Sequence, residues 1–202
     1  MPGTNLTRAE AEARAATIST ETYAVELDLT TSEDTFRSTS TVRFSATPGE
    51  STFIDLIAPT VHSITLNGVE LDPAKHFADS RIALPDLQDS NELTVVADCD
   101  YMNTGEGLHR FVDPEDREVY LYSQFEVADT RRVYAVFEQP DLKAAFTFSV
   151  TAPTHWHVIS NNPGKKSAVD GEVVIAGQTR GKARWDFSET TRLPCYVTAI
   201  VA

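Results

Sequence analysis

Tyr23-Ala24-Val25-Glu26-Leu27-Asp28-Leu29 alternates apolar and polar residues without a break. A period of two is the pattern of a strand with one buried face, so the chain around it is read first for β-structure. The polar turn Thr31-Ser32-Glu33-Asp34 follows, then a second strand from Thr35 to Ala46, with Phe36 and Thr41-Val42-Arg43-Phe44 inside it. Phe53-Ile54-Asp55-Leu56 reads as a third strand, halted at Pro59. Val61 to Leu66 and Val69 to Leu71 flank Asn67-Gly68, the dipeptide of a two-residue hairpin turn. Further strands are expected at Arg81–Leu84, Asn91–Ala97, Glu118–Phe125, Ala145–Val150, His155–Ser160, Glu172–Ala176, Ala183–Phe187 and Tyr196–Ala202. Short strands with frequent turn signals are the mark of an antiparallel sandwich or barrel. The expected fold class is therefore all-β.

Helix is expected at two places only. Thr7-Arg8-Ala9-Glu10 has capping-box spacing, and the Ala-rich stretch to Ala16 has high helix propensity. Asp141 to Ala145 is the other. We divide the chain into a helical extension over 1–20 and a β-domain over 21–202. The end, Cys195-Tyr196-Val197-Thr198-Ala199-Ile200-Val201-Ala202, stops inside an apolar strand pattern and reads as a cut from a longer polypeptide.

Composition narrows the function classes. With 202 residues, 41% hydrophobic and 23% charged, the chain has ordinary globular usage and is long enough for one substantial core. Seventeen basic against 30 acidic residues give a net charge of −13. Lys165-Lys166 and Arg131-Arg132 are the only adjacent basic pairs that stand out, so neither nucleic acid nor an anionic membrane is an expected partner. No apolar run approaches the length of about 18 residues that a membrane span needs, and Met1-Pro2-Gly3-Thr4 carries no export signal. The expected location is cytoplasmic, with Cys99 and Cys195 as free thiols.

Most catalytic signatures are missing: there is no H-E-x-x-H, Cys-x-x-Cys, G-x-S-x-G, P-loop or dinucleotide glycine fingerprint. His155 and His157 flank Trp156 at a strand's same-face spacing, which we read as an exposed face beside a buried indole rather than a metal site. Asp113, Glu115 and Asp116 lack the spacing and glycine of a calcium loop and read as a solvated turn around Pro114. The segment from Gly105 to Phe146 is denser in unusual residues. In a strand from Tyr120 to Glu126, Tyr122, Gln124 and Glu126 share one face, and a phenol, an amide and a carboxylate together suit a small polar cation. The alternative on pattern alone is a solvated face with Glu126 paired to Arg131 or Arg132.

That same segment carries a resemblance. Tyr122-Ser123-Gln124-Phe125-Glu126, Arg131-Arg132 and Phe137-Glu138-Gln139-Pro140-Asp141-Leu142-Lys143-Ala144-Ala145-Phe146 resemble three consecutive motifs of the aminopeptidase N family. These are the Gln-x-Glu segment, the Arg-Arg pair and the acidic-x-Pro-x-x-Lys-Ala-x-Phe block in the N-terminal domain of those gluzincin-type zinc metallo-aminopeptidases, a family that includes the leukotriene hydrolases. Trp185-Asp186-Phe187 and Pro194-Cys195-Tyr196-Val197 are similar to its aromatic pair and closing strand, and Gly105–Phe111 looks like the actinobacterial version. Glu138-Gln139 departs from the commoner Asp-Glu, and Pro194-Cys195 from a common Ser.

The resemblance implies a saddle-like β-sandwich that forms part of the substrate pocket of a larger enzyme. It implies that Glu126 meets the α-ammonium of a peptide with a free N-terminus and that Gln124 lies beside the first side-chain pocket. Catalytic residues and metal ligands are expected to be absent from this chain, because the family's G-x-M-E-N strand and zinc-binding H-E-x-x-H helix would lie beyond Ala202. Zinc and the catalytic domain of the same polypeptide are the implied cofactor and partner, and Arg131 and Arg132 are expected to be structural. The competing reading is a non-enzymatic β-sandwich module binding carbohydrate or protein, with two tryptophans and six tyrosines as its stacking surface. On the enzyme reading, the 202-residue chain alone neither holds zinc nor cleaves aminoacyl anilides. Elemental analysis after dialysis and a chromogenic assay check this; stoichiometric zinc, or turnover above a heat-killed control, would overturn it.

Overall fold

The alternation at Tyr23–Leu29 becomes the centre of a broad sheet. The structure is a computed structural model and describes residues 5–202, so Met1–Thr4, and with them the first part of the helical extension, lie outside the described residues. In chain order, α1 (Arg8–Thr17) leads directly into β1 (Ile18–Asp28) and β2 (Thr35–Ala46). Then come β3 (Thr52–Asp55), β4 (Thr60–Leu66), β5 (Val69–Leu71), the single turn α2 (Pro73–His76), β6 (Phe77–Ala78) and β7 (Arg81–Leu84). The middle holds β8 (Ser90–Asp100), β9 (Gly107–Val112) and β10 (Val119–Gln124). The last strands are β11 (Ala145–Pro153), β12 (Ile159–Ser160), β13 (Gly164–Ile175), β14 (Gln178–Phe187) and β15 (Ile200–Val201).

Eight strands pair in the order β13-β14-β11-β1-β2-β8-β4-β5, four in the order β12-β15-β10-β9, and three as β3-β7-β6. The fold is all-β, a sandwich with one short N-terminal helix. Neighbours are antiparallel except β1 and β11, which run parallel from Thr22↔Ala145 to Asp28↔Thr151. A parallel pair cannot be joined by a hairpin, and the whole of β2 to β10 intervenes between these two. The Asn67-Gly68 turn closes the β4–β5 hairpin as its sequence predicts, with both residues at positive φ (53° and 78°).

Several expectations need correction. His155 lies in the turn Thr154–His155 and Trp156–Val158 form no ladder, so only Ile159–Ser160 of the expected His155–Ser160 strand is paired. At the C-terminal end, Pro194 starts a 3-10 turn over Cys195–Val197, leaving Ile200–Val201 as the strand. Asp141–Ala145 is a turn rather than a helix: Lys143 N–H folds back to the Asp141 carbonyl, and Ala144 bridges to Leu193. Strand β9 is not among the expected strands: Gly107–Val112 lacks a clean alternation, being buried at Gly107 and Leu108 and exposed at Phe111 and Val112.

The sheets are joined through an irregular segment, Thr130–Gln139, that runs inside the core. Tyr134 is fully buried and packs edge-on against Tyr23 of β1, Phe148 of β11 and Phe125 just after β10, with ring centroids 5.9–6.4 Å apart. Buried backbone outside a ladder must still find partners. Here Val136 and Asp55 exchange two backbone hydrogen bonds (2.9 and 3.0 Å). Side chains take three more amides: Ala135 N–H donates to Ser40 Oγ, Phe137 N–H to Tyr23 Oη and Glu138 N–H to Asp55 Oδ2.

Helix α1 is locked to this segment by a buried charge. Its capping box forms as expected, with Thr7 N–H donating to Glu10 Oε2 at 2.8 Å and Glu10 N–H to Thr7 Oγ1 at 3.3 Å. Arg14, only 2% exposed, donates to Asp55 Oδ2 at 2.8 Å and to Gln139 Oε1 at 3.0 Å. Its guanidinium and that of Arg81 lie over the Phe53 ring, 4.8 and 4.1 Å from the centroid. Arg81 also pairs with Glu10 at 2.6 Å.

Two predictions follow from these contacts. Removing Arg14 leaves the buried Asp55 carboxylate with Arg81, 3.9 Å away, as its remaining cation, so Arg14→Met lowers unfolding stability by about 3 kcal/mol in urea titrations, whereas Arg8→Met, whose partner Glu12 is exposed, changes it by less than about 1 kcal/mol. The hydrogen bond from Arg81 holds the Glu10 carboxyl at about 2, below its ordinary 4.5. Because the folded value is depressed, this contribution is complete above pH 4.5 and fades as the pH falls toward 2. The stability difference between wild type and Glu10→Gln should therefore shrink over that interval.

Candidate functional site

Strands β9 and β10 form a hairpin whose end carries the residues singled out by sequence. Inward residues Leu121 and Phe125 are buried, so Tyr122 and Gln124 turn outward and are exposed, as the alternation requires. Glu126 is also exposed, but β10 ends at Gln124 and Glu126 opens the turn 126–129. The common strand face therefore holds for Tyr122 and Gln124, and Glu126 sits just past the ladder. Asp129 N–H closes the turn on the Phe125 carbonyl at 3.2 Å, and the Val127–Ala128 peptide within it is cis.

Arg132 ties this turn to the loop across from it. Its guanidinium pairs with Asp129 at 2.7 Å and with Glu106 at 3.1 Å, so it is committed to carboxylates other than Glu126. Among the described ion pairs none involves Glu126. Arg131 donates from Nε to the Ala128 carbonyl at 3.0 Å, and its backbone N–H donates to Glu138 Oε2 at 2.7 Å. The loop fits against Arg132 only because position 107 is glycine. Gly107 has φ +60°, and a Cβ there would lie 2.9 Å from Arg132 Cβ. Gly107 is also the register partner of Gln124.

An aromatic pair completes the surface. His109, opposite Tyr122 in the ladder, stacks on its ring with centroids 4.7 Å apart and planes 25° from parallel. Gly105 N–H donates to His109 Nδ1 at 3.1 Å, which leaves the proton of the neutral imidazole on Nε2. Sequence reading does not place Gly107 opposite Gln124 or His109 opposite Tyr122; the one available signal is the Gly105-Glu106-Gly107 turn followed by a return strand.

Other candidates are accounted for structurally. His155 Nε2 meets Glu118 Oε2 at 3.1 Å, and His157 is exposed beside buried Trp156. Asp113 and Asp116 accept from Glu115 and Glu118 N–H, both at 2.8 Å, and so shape their own turn. Glu138 is buried, which pushes its carboxyl above the usual range. The Cys195 thiol, 2% exposed, donates to Glu138 at 3.3 Å, and burial pushes that thiol up as well. Cys99 is likewise free and buried. Among the described residues no group of three His, Cys, Asp or Glu side chains could hold a metal ion, and no helix is long and apolar enough to cross a membrane. The site thus offers an exposed carboxylate, an amide and a stacked aromatic pair on a braced hairpin end. These are groups that can accept and donate hydrogen bonds and stack against a ligand.

Comparison with known proteins agrees with these motifs. The chain is 54% identical to aminopeptidase N of Streptomyces lividans over 205 residues, covering 100% of this chain and 22% of that protein. It is 35% identical to aminopeptidase N of Acetobacter pasteurianus over 82 residues, 41% of this chain and 21% of the relative. It is 32% identical to the probable aminopeptidase 1 of Sulfurisphaera tokodaii over 87 residues, 43% of this chain and 10% of the relative. The chain thus spans about a fifth or less of these relatives' lengths, and the Streptomyces likeness bears out the actinobacterial resemblance. The model of the peptidase M1 N-terminal domain matches residues 19–197, nearly the whole of the sandwich, and the chain belongs to that family as an actinobacterial N-terminal domain of aminopeptidase N.

Proposed function

We propose that this domain forms part of the substrate pocket of a zinc aminopeptidase that releases N-terminal amino acids from peptides, and that Glu126 anchors the substrate's α-ammonium. The observation that carries the reading is Glu126 itself: an exposed carboxylate, outside the described ion pairs, at the end of a hairpin held rigid by Arg132. An ammonium leaving water needs fixed anionic acceptors, and charge-assisted hydrogen bonds are the strong ones. Gln124, on the outward face next to the stacked Tyr122 and His109, is the residue that meets the first side chain. The described residues do not fit a zinc ion, so the metal and the bond-breaking step belong to the remainder of the parent polypeptide. What this chain supplies is selection: a peptide with a free amine is held, and a blocked one is not.

In the full-length parent, Glu126→Gln keeps the shape and removes the charge. A hydrogen bond to a charged group is worth about 1.5–3 kcal/mol, so kcat/KM should fall about 10- to 150-fold. Zinc content and Tm should stay at wild-type values because the residue is exposed. Wild-type kcat/KM would end the anchor assignment. Gln124→Ala should instead change the ranking of substrates that differ in their first side chain; an unchanged ranking would remove Gln124 from the pocket.

A further inference from the structure

Glu126 opens the turn 126–129 and Arg132 comes just after it, yet the two do not pair among the described residues. Arg132 is committed elsewhere. Its Nε donates to Asp129 Oδ1 at 2.7 Å, and its Nη2 lies 3.1 Å from Glu106 Oε2. Among the described residues Arg132 is also the sole ion-pair partner of either acid. A guanidinium is a planar fork whose donors point in fixed directions, so engaging two of its three nitrogens fixes its orientation. The stem is fixed as well. It lies against the loop at Gly107, where a Cβ would come within 2.9 Å of Arg132 Cβ and 3.2 Å of Arg132 Cδ.

Three carboxylates therefore stand around one guanidinium at this hairpin end. Glu126 and Asp129 lie at opposite ends of a single turn. Glu106 lies on the facing loop, one residue before the register partner of Gln124. Surface ion pairs are individually weak, so small advantages of geometry decide which acid an arginine holds. Here the loop and the end of the turn hold it, and the carboxylate at the start of the turn stays open.

We propose that Glu106 and Asp129 are positioning residues that act through Arg132: by holding its guanidinium off Glu126, they keep that carboxylate free for the α-ammonium of a peptide. The inference rests on the reading of Glu126 as the substrate anchor. An arginine released from both acids resembles the substrate's ammonium chemically, since each is a cation that donates N–H hydrogen bonds to carboxylate oxygens. The released side chain turns to Glu126 and competes with the peptide for it. The two acids thus protect the anchor from a cation of its own chain.

In the full-length parent, Glu106→Ala with Asp129→Ala removes both acceptors. KM for a free-amine substrate should rise about three- to fivefold with kcat unchanged, the effect of a weak ion pair competing for the site. Adding Arg132→Met keeps a stem against Gly107 and removes the competing cation, so at least half of that loss should be recovered. The turn remains closed in this variant by Asp129 N–H on the Phe125 carbonyl and by Arg131 Nε on the Ala128 carbonyl. If the two acids merely brace the turn, the triple variant is no better than the double one, and that result would overturn the proposal. An unchanged KM in the double variant, with Glu126→Gln impaired, would do the same. A crystal structure of the double variant gives a readout that needs no substrate: the Arg132 guanidinium should lie within about 4 Å of the Glu126 carboxylate. An arginine that stays clear of Glu126 there overturns the proposal whatever the kinetics show. Should Glu126→Gln itself prove kinetically silent, the anchor reading falls, and the position of Arg132 in that crystal still decides whether the two acids hold it off.

Discussion

Asp55 is the residue through which the separate parts of this domain are held together. It ends β3, and its backbone exchanges two hydrogen bonds with Val136 of the buried Thr130–Gln139 segment. Its carboxylate accepts from Glu138 N–H of that segment and from Arg14 of α1. Connecting segments usually run on the surface because buried irregular backbone has nowhere to place its polar groups. This one lies inside because Asp55, Ser40 and Tyr23 take its amides. A charge so placed is costly to desolvate, and two cations offset it: Arg14, equally buried and itself held by Gln139, and Arg81, 3.9 Å away.

The buried segment in turn determines how the surface is arranged. Its first turn, Thr130–Arg132, sets buried Arg131 and half-buried Arg132 against the turn that contains Glu126. Arg132 bridges Asp129 and Glu106, and Arg131 grips the Ala128 carbonyl while its own amide is held by buried Glu138. The exposed hairpin end is therefore continuous with a segment buried in the core. Binding groups are most effective when the elements beneath them are rigid. Glu138 and Cys195, chemically suggestive in isolation, serve that support.

One sheet thus has two different faces. The inner residues Leu121, Phe125 and Ile200 seal the core, and the outer residues present Gln124 together with a run of aromatic and aliphatic side chains. An apolar face next to a candidate substrate anchor suits a domain that forms one wall of a pocket and leaves the other walls to the rest of a longer polypeptide.

Local chemistry made much of the fold legible. Period-two alternation located β1, Asn67-Gly68 located a hairpin, and the Thr7–Glu10 spacing located the start of α1, because each of these signals acts over a few residues. The motif around Gln124 and Glu126 was equally readable as a pattern. The sequence could not show the parallel pairing of β1 with β11, the burial of Thr130–Gln139, or the role of Arg14, which on its helix looks like one more solvated charge. Nor did it show that Glu126 lies beyond its strand, or that Gly107 and His109 stand opposite Gln124 and Tyr122. All of these depend on contacts between residues far apart in the chain, and only the closed core brings such residues together. A strand pattern states which face is buried; which partner buries it is a property of the tertiary structure alone.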